Sequence, residues 1–381
     1  MVKVFVCGDI VNYENHSGLV CSDALAEIIS NADYSICNFE APIEGIGQPV
    51  PKSGIHHFQR KATIEGLKVQ GFDLLCLANN HIMDFGPDAL QATIDEAKRH
   101  HLETIGAGID FHSAYQPIIK KFEDVTIGFI NACEAQFGVL DNHANQSQPG
   151  YAWLNHHFLD LQILKLKEEC DYVIVLAHAG LEHYSIPQKE WRLKYKHLCD
   201  LGADIIIGSH PHVPQGYELY NQSVIFYSLG NFYFDSKNFK HKEDNTYSVL
   251  LNMTKENINF ELIYHHKENG KVHLSPKEKQ INITELNEKL ENGYNKLVDE
   301  MSLQVFNKII KHNLIYSLGD TPYNGSFIST VKHIIATILG RRSKVDKDLL
   351  SLHLLRNETY YYAAKHALQL KANEKHGRRS S

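Results

Sequence analysis

The sequence predicts an α/β protein with an all-helical region added on its C-terminal side, and three patterns carry that prediction. Short β-rich apolar runs alternate with helix-period segments through the first half of the 381 residues, as in βαβ units around a mostly parallel sheet. After Ile207 closely spaced strand-like runs take over, as in a second, antiparallel sheet. From about residue 283 the apolar period becomes helical.

The first strands are expected at 2–8, 33–39, 73–78, 102–106, 125–131, 171–177 and 203–207. Helical spacing occupies 22–31, 61–70, 87–99, 156–169 and 188–200. Ser22 and Pro87 stand where a capping hydroxyl or a preset φ would start a helix. Later strands are expected at 213–220, 224–228, 246–253, 258–266 and 271–275, and helices at 283–312, 326–339, 347–354 and 357–376. Asp320-Thr-Pro and Gly340-Arg-Arg break the last set. The resulting division is a domain over 1–280, a helical region over 281–376 and a charged, frayed tail over 377–381.

Hydrophobic residues at 43% and charged residues at 22% are globular proportions, which exclude disordered and fibrous classes. A formal charge of -7 gives no bulk attraction to nucleic acid, so no nucleic-acid partner is expected. The seven cysteines are scattered without a C-x-x-C pair, which argues against a zinc ribbon or disulfide framework and for reduced, buried thiols near strand ends. No apolar run reaches the ~18 residues of a membrane span. The start MVKVFVCGDI is strand-like, with no basic region or cleavage site, so no secretory signal is expected. The expected setting is cytoplasmic, with peripheral placement at the inner face of the membrane as a further expectation.

The candidate chemistry lies where strands end. Val2–Gly8 runs into Asp9, Tyr34–Cys37 into Asn38 and Glu40, Leu74–Ala78 into Asn79-Asn80-His81, Val173–Ala177 into His178, and Ile205–Ile207 into Gly208-Ser-His210-Pro-His212. In open α/β sheets ligands bind beyond the carboxyl ends of strands, so these residues would face one crevice. Histidine, carboxylate and Asn oxygen together suit a borderline or hard divalent metal. Taken singly, Asp9 reads better as a cap, Glu40 as a solvated loop residue, the Asn pair as a turn and His178 as a satisfied core histidine. The i, i+2 histidines around Pro211 are harder to dismiss, and five coincidences at strand ends favour one metal-binding site.

Six segments in this order resemble the bacterial capsule-synthesis CapA family, also called the poly-gamma-glutamate biosynthesis protein family, a relative of the calcineurin-like metallophosphoesterases. They are Gly8-Asp9, Asn38-Phe-Glu40, LANNHIMDFG (77–86), HAGLEHYSIP (178–187), GSHPHVPQGYELY (208–220) and IFYSLGNFYFD (225–235). The resemblance covers roughly residues 1–270 and implies a four-layer metallophosphoesterase-like αββα sandwich. It implies one or two divalent ions (Mn, Zn or Fe): Glu40 bridging, Asp9 and His212 on one ion, and Asn80, His178 and His210 on the other. His81 takes the place of the catalytic histidine that assists the leaving group or holds the transferring phosphoryl. Asn38, Glu182 and Asn231 are expected to orient the ligands, whereas Asp84 reads as a cap for helix 87–99. Two positions depart from the pattern: Val11 stands where the phosphoesterases have a metal-binding histidine, and Ala179 where the family has tryptophan.

The implied activity is a metal-dependent, phosphoesterase-like hydrolase in capsule or surface-polymer biosynthesis, with an anionic or phosphorylated polymer or precursor, and capsule-synthesis proteins, as partners. The alternatives are a non-catalytic polymer-binding or scaffold subunit of a capsule synthase, and an amide hydrolase on poly-gamma-glutamate.

Overall fold

The computed structural model describes residues 1–141, 147–235, 245–318, 331, 335 and 346–377. Apart from residues 331 and 335, the expected helix 326–339 lies outside the described residues, as does all but the first residue of the expected tail.

In chain order the first half runs β1 (Val2–Val11), α1 (Asp23–Ser30), β2 (Tyr34–Phe39), α2 (Ala62–Val69), β3 (Leu74–Cys76), α3 (Pro87–Arg99) and β4 (Glu103–Ile105). It continues with β5 (Ala107–Gly108), α4 (Phe111–Ala114), β6 (Ile118–Phe122), β7 (Val125–Cys133), β8 (Val139–Leu140), β9 (Gly150–Ala152), α5 (His157–Glu169), β10 (Tyr172–His178), α6 (Lys189–Asp200) and β11 (Ile205–Ser209). Then come β12 (Tyr217–Tyr220), β13 (Ser223–Phe226), β14 (Asn231–Phe234), β15 (Thr246–Met253), β16 (Ile258–Glu268), β17 (Lys271–Leu274) and α7 (Ile283–Glu291).

One sheet has the order β17-β16-β15-β1-β2-β3-β4, with β14 also pairing β1; the other is β12-β13-β11-β10-β7-β6. β1 to β4 run parallel, as do β7, β10, β11 and β13. Side-chain alternation explains the layering. Val4, Val6, Ile36 and Leu74 meet Phe129, Ile174, Leu176 and Ile207 of the second sheet in a shared core. Their neighbours Phe5, Cys7 and Leu75 turn the other way, onto Leu25, Leu67 and Leu90 of α1, α2 and α3. α5 packs on β7 and β10, and α6 on β11 and β13. Two sheets between two helical layers are the αββα sandwich that the resemblance implies. Each large side chain in the shared core contributes about 1.5–3 kcal/mol of burial, which holds the strand ends in fixed relative positions.

A change of partner on one edge of β1 positions the first acidic group. β15 pairs antiparallel with Val2–Val6, then β14 takes the same edge in parallel, with Asp9 opposite Asn231 and a register shift after Asp9. The crossing chain is so close that a Cβ on Gly8 would lie 1.8 Å from the Gly230 carbonyl oxygen. Glycine is required there, and Asp9 N–H then donates to that carbonyl at 3.2 Å.

Several elements differ from the sequence expectation. The run 213–220 is extended only over Tyr217–Tyr220, and β6, β14 and the small sheet β5-β9-β8 were not expected. Pro87 does open α3, and Ser22 precedes α1 without a capping side-chain hydrogen bond. The stretch 283–312 is not one helix: α7 ends at Glu291, and Gly293, at φ 73°, separates it from α8 (Tyr294–Val305). A π-helical turn over Phe306–Ile310 follows, then α9 (Lys311–Leu318), α10 (Lys347–Arg356) and α11 (Glu358–Lys375), the last two capped by Asp346 and Asn357. The chain divides into two compact units, Met1–Val50 with His56–Asn292, and Pro51–Ile55 with Gly293–Ser381. α7 belongs to the first, where Asn287 Oδ1 accepts from Tyr217 N–H at 2.8 Å and the Leu290 carbonyl accepts from Arg192 at 2.9 Å. Among the described residues no helix is long and apolar enough to cross a membrane. The seven thiols are free, six of them buried and Cys199 half-buried.

Candidate metal centre

The carboxyl ends of β1, β2, β10 and β11 converge, and the residues that end them do so as well. Asp9, Glu40, Asn80, His178, His210 and His212 are all buried. Their donor atoms form two groups that share Glu40: Asp9, Glu40 and His212 on one side, Glu40, His178 and His210 on the other. Within each group the atoms lie within 4.8 Å of one another. Glu40 Oε1 is 3.7 Å from His178 Nε2 and 3.8 Å from His212 Nε2, while Asp9 Oδ2 is 3.3 Å from His212 Nδ1. Asn80 Oδ1 joins the second side, 3.0 Å from His178 Nε2.

The backbone bends to deliver the two histidines that follow β11. His210 and His212 both adopt positive φ, 98° and 59°, a conformation rare for residues with a Cβ. Such strain costs about 1–3 kcal/mol per residue and persists where surrounding structure over-determines it. Here His210 N–H is fixed on Asp9 Oδ2 at 3.3 Å.

The neighbours expected to orient ligands are placed unequally. Asn38 Nδ2 donates to Asp9 Oδ1 at 2.7 Å and lies 3.2 Å from His178 Nδ1, and Asn231 Oδ1 is 3.0 Å from His212 Nδ1. Glu182 is exposed at the rim and makes no such bond; its carboxylate instead lies within ligand reach of His210 and His212. Val11 is buried and brings no donor to the Asp9 side, and Ala179 is likewise buried.

The charges fit a cation at the centre. Burial, followed by the charge of Asp9, pushes the Glu40 carboxyl well above the usual carboxylate range. Burial and the neighbouring histidines hold His178 and His210 well below the usual imidazole value, leaving both neutral and able to ligate. Burial opposes the charge of His212, but Glu40 and Asp9 outweigh it and raise that ring to about 10. Both Glu40 oxygens and His210 Nδ1 are buried without a hydrogen bond. Each such atom costs about 1–3 kcal/mol, and buried polar groups are seldom left so. Oxygen and nitrogen atoms facing one another in this state could hold a divalent ion.

Asp84 is corrected from a helix cap. Gly86 occupies the N-cap of α3, and Asp84, fully buried, accepts from His81 Nδ1 at 2.7 Å and from His57 N–H at 2.7 Å. His57 packs edge-on to His81 with ring centres 4.1 Å apart, and Tyr13 O–H bonds His57 Nδ1. Burial lowers His57 to about 4. Glu134 and Gln136 also border the site and were not anticipated. β7 extends to Cys133, two residues beyond the strand expected, so Glu134 follows a strand end as Glu40 follows β2. That shared position is the signal that could have found it.

A four-layer α/β sandwich with a carboxylate–histidine cluster at its strand ends is the class of protein that fold and site define. The chain belongs to the family described as Bacterial capsule synthesis protein PGA_cap, whose profile matches residues 4–236. It is 36% identical over 217 residues to the Capsule biosynthesis protein CapA of Bacillus anthracis, covering 54% of this chain and 52% of that protein. It is 35% identical over 213 residues to the PGA biosynthesis protein CapA of Bacillus subtilis, covering 55% of each. The chain thus spans about half the length of the curated relatives it matches. Among solved structures it is similar to a novel phosphatase from Mycoplasma pneumoniae (17% identity, TM-score 0.43, 70% of this chain and 95% of that one). A 5'-nucleotidase from Candida albicans is also similar (11% identity, TM-score 0.39, 81% and 58%).

Proposed function

We propose that the chain is a metal-dependent hydrolase acting in the synthesis or trimming of a capsular or other surface polymer, with a phosphoric ester as the bond it cleaves. The observation that carries the reading is Glu40: a buried carboxylate with neither oxygen hydrogen-bonded, flanked by Asp9, His178 and His212. Asp9, Glu40 and His212 would hold one divalent ion, and Glu40, Asn80, His178 and His210 another. A bound ion would polarise the bond under attack and make water a stronger nucleophile near neutral pH. His81, whose Nδ1 is held by Asp84, would be the group that assists the leaving group. Asn38 fixes Asp9, and Asn231 fixes His212. Capsule polymer as the setting rests on membership of the family and on the names of the relatives.

The test pairs metal content with turnover of generic phosphomonoesters and phosphodiesters under added Mn²⁺, Zn²⁺ or Fe²⁺. The expected result is bound metal, ester turnover, and loss of both in His178→Ala and His210→Ala. A chain without bound metal, or variants with undiminished turnover, would refute the proposal. Release of glutamate from poly-gamma-glutamate without ester turnover would reassign the bond to an amide.

A further inference from the structure

The loop that follows β10 is pinned to the turn carrying His210 and His212. Ala179 N–H donates to the Ser209 carbonyl at 3.1 Å, Gly180 N–H to Glu134 Oε2 at 3.0 Å, and His183 N–H to the Pro211 carbonyl at 2.8 Å. Gly180 at φ 126° and His183 at φ 68° lie in the region that favours glycine, and the histidine holds it at a cost of about 1–3 kcal/mol. Leu181 is buried and anchors the loop. Glu182 stands between these fixed points, and its carboxylate is not committed elsewhere: the ion-pair partner His183 is 3.9 Å away, beyond hydrogen-bond reach.

A Glu182 oxygen, a His210 nitrogen and a His212 nitrogen all lie within 4.8 Å of one another. The two rings are 5.9 Å apart between centres, a span that one ion can bridge with bonds of about 2.0–2.1 Å. Burial opposes the charge of His212, and the carboxylates that support it are Glu40, Asp9 and, more weakly, Glu182. The expected role of Glu182, orienting a ligand by a hydrogen bond, has no bond to carry it, whereas its reach to both histidines suits direct coordination.

We propose that Glu182 is itself a metal ligand, supplied from the solvent side to an ion on the His212 side of the cluster. Asp9, Glu40 and His212 offer that ion three donors, and buried Val11 brings none. Zinc and its like commonly take four ligands, which leaves a position for a carboxylate from the rim. The pinned loop presents Glu182 without a large rearrangement of the backbone. The inference rests on the metal reading above.

The test is a Co²⁺ titration of the metal-stripped full chain, wild type against Glu182→Gln, read by affinity and by visible absorption in about 0.1 M and about 1 M salt. Cobalt is the probe because its absorption bands follow the number and kind of its ligands. The Glu182 side chain is 47% exposed, so the exchange leaves the core untouched. Glu182→Gln is expected to bind its most weakly held ion at least about 10-fold less tightly at both salt concentrations, with a changed spectrum. Salt separates a ligand from a distant charge, because a Debye length of about 3 Å at 1 M screens an exposed charge but not a bond to the ion. Wild-type affinity in Glu182→Gln, a loss confined to low salt, or an unaltered spectrum overturns the proposal. Wild-type protein that takes up no cobalt overturns the metal reading and this inference with it, an outcome distinct from those three.

Discussion

The two halves of the site share Glu40 but differ in kind. On the Asp9 side a charged histidine, His212, is balanced by two carboxyl groups. On the His210 side two neutral imidazoles face the same Glu40, with Asn80 beside them. The Asp9 side pairs its histidine with carboxyl groups, whereas the His210 side leaves His210 Nδ1 buried without a hydrogen bond; the two unbonded Glu40 oxygens are common to both. The side that cannot satisfy itself has more to gain from a cation. Val11 deepens the inequality, because this buried side chain brings no donor to the Asp9 side.

The largest effect expected comes from the group common to both halves. Glu40→Gln should remove ion binding on both sides and lower ester turnover by several kcal/mol of lost electrostatic stabilisation, roughly 1,000-fold. Next, His210→Ala and His212→Ala separate the halves. Equilibrium binding should show His210→Ala losing the tighter ion, by more than the ~100-fold typical of removing an outer partner, while His212→Ala keeps it. Equal losses would remove the distinction between the two sides. Val11→His should act in the opposite direction and tighten the weaker step of metal uptake in calorimetry.

Asp84→Asn should leave metal content unchanged and reduce turnover roughly 10–100-fold, less than the ~10²–10⁴ that a whole acid–base group supplies. The last effect lies away from the site and serves as its control. Burial, then the nearby charge of His266, lowers His265 to about 3, and Thr246 and Ser248 hydroxyls hold its ring at 3.1 and 2.8 Å. Its folded value is below its unfolded one, so its contribution is full above about pH 6.5 and is lost as pH falls toward the folded value. Melts from pH 7 to 4 should show a decline of up to about 1.4 kcal/mol per pH unit from this group, flattened in His265→Gln with metal content unchanged at pH 7.

The donors were legible because each interrupts a pattern. Asp9, His178 and His210 end or follow apolar strands whose side chains alternate into two cores, so the polar residue at the end has nowhere to point but the crevice. The four-layer arrangement was implied by the resemblance, and the alternation of side chains explains it once the strands are in place. What escaped depended on contacts distant in sequence. Glu134 bonds Gly180 and faces His210, 46 and, by Cα numbering, 76 positions away, and no local pattern records either. Asp84 precedes a helix at a spacing that suits a cap, and only the fold shows it turned onto His81 and His57. The break at Gly293 was missed because the apolar period resumes beyond it, and the positive φ that separates the two helices leaves that period intact.

The central claim is that the Glu40 cluster is a metal centre, and the most direct measurement is the molar ratio of divalent ion to chain after equilibrium dialysis of metal-stripped protein against Zn²⁺ or Mn²⁺. Wild type should retain ion that Glu40→Gln, folded and equally soluble, does not. Equal ratios in the two proteins, or none in either, would contradict the claim.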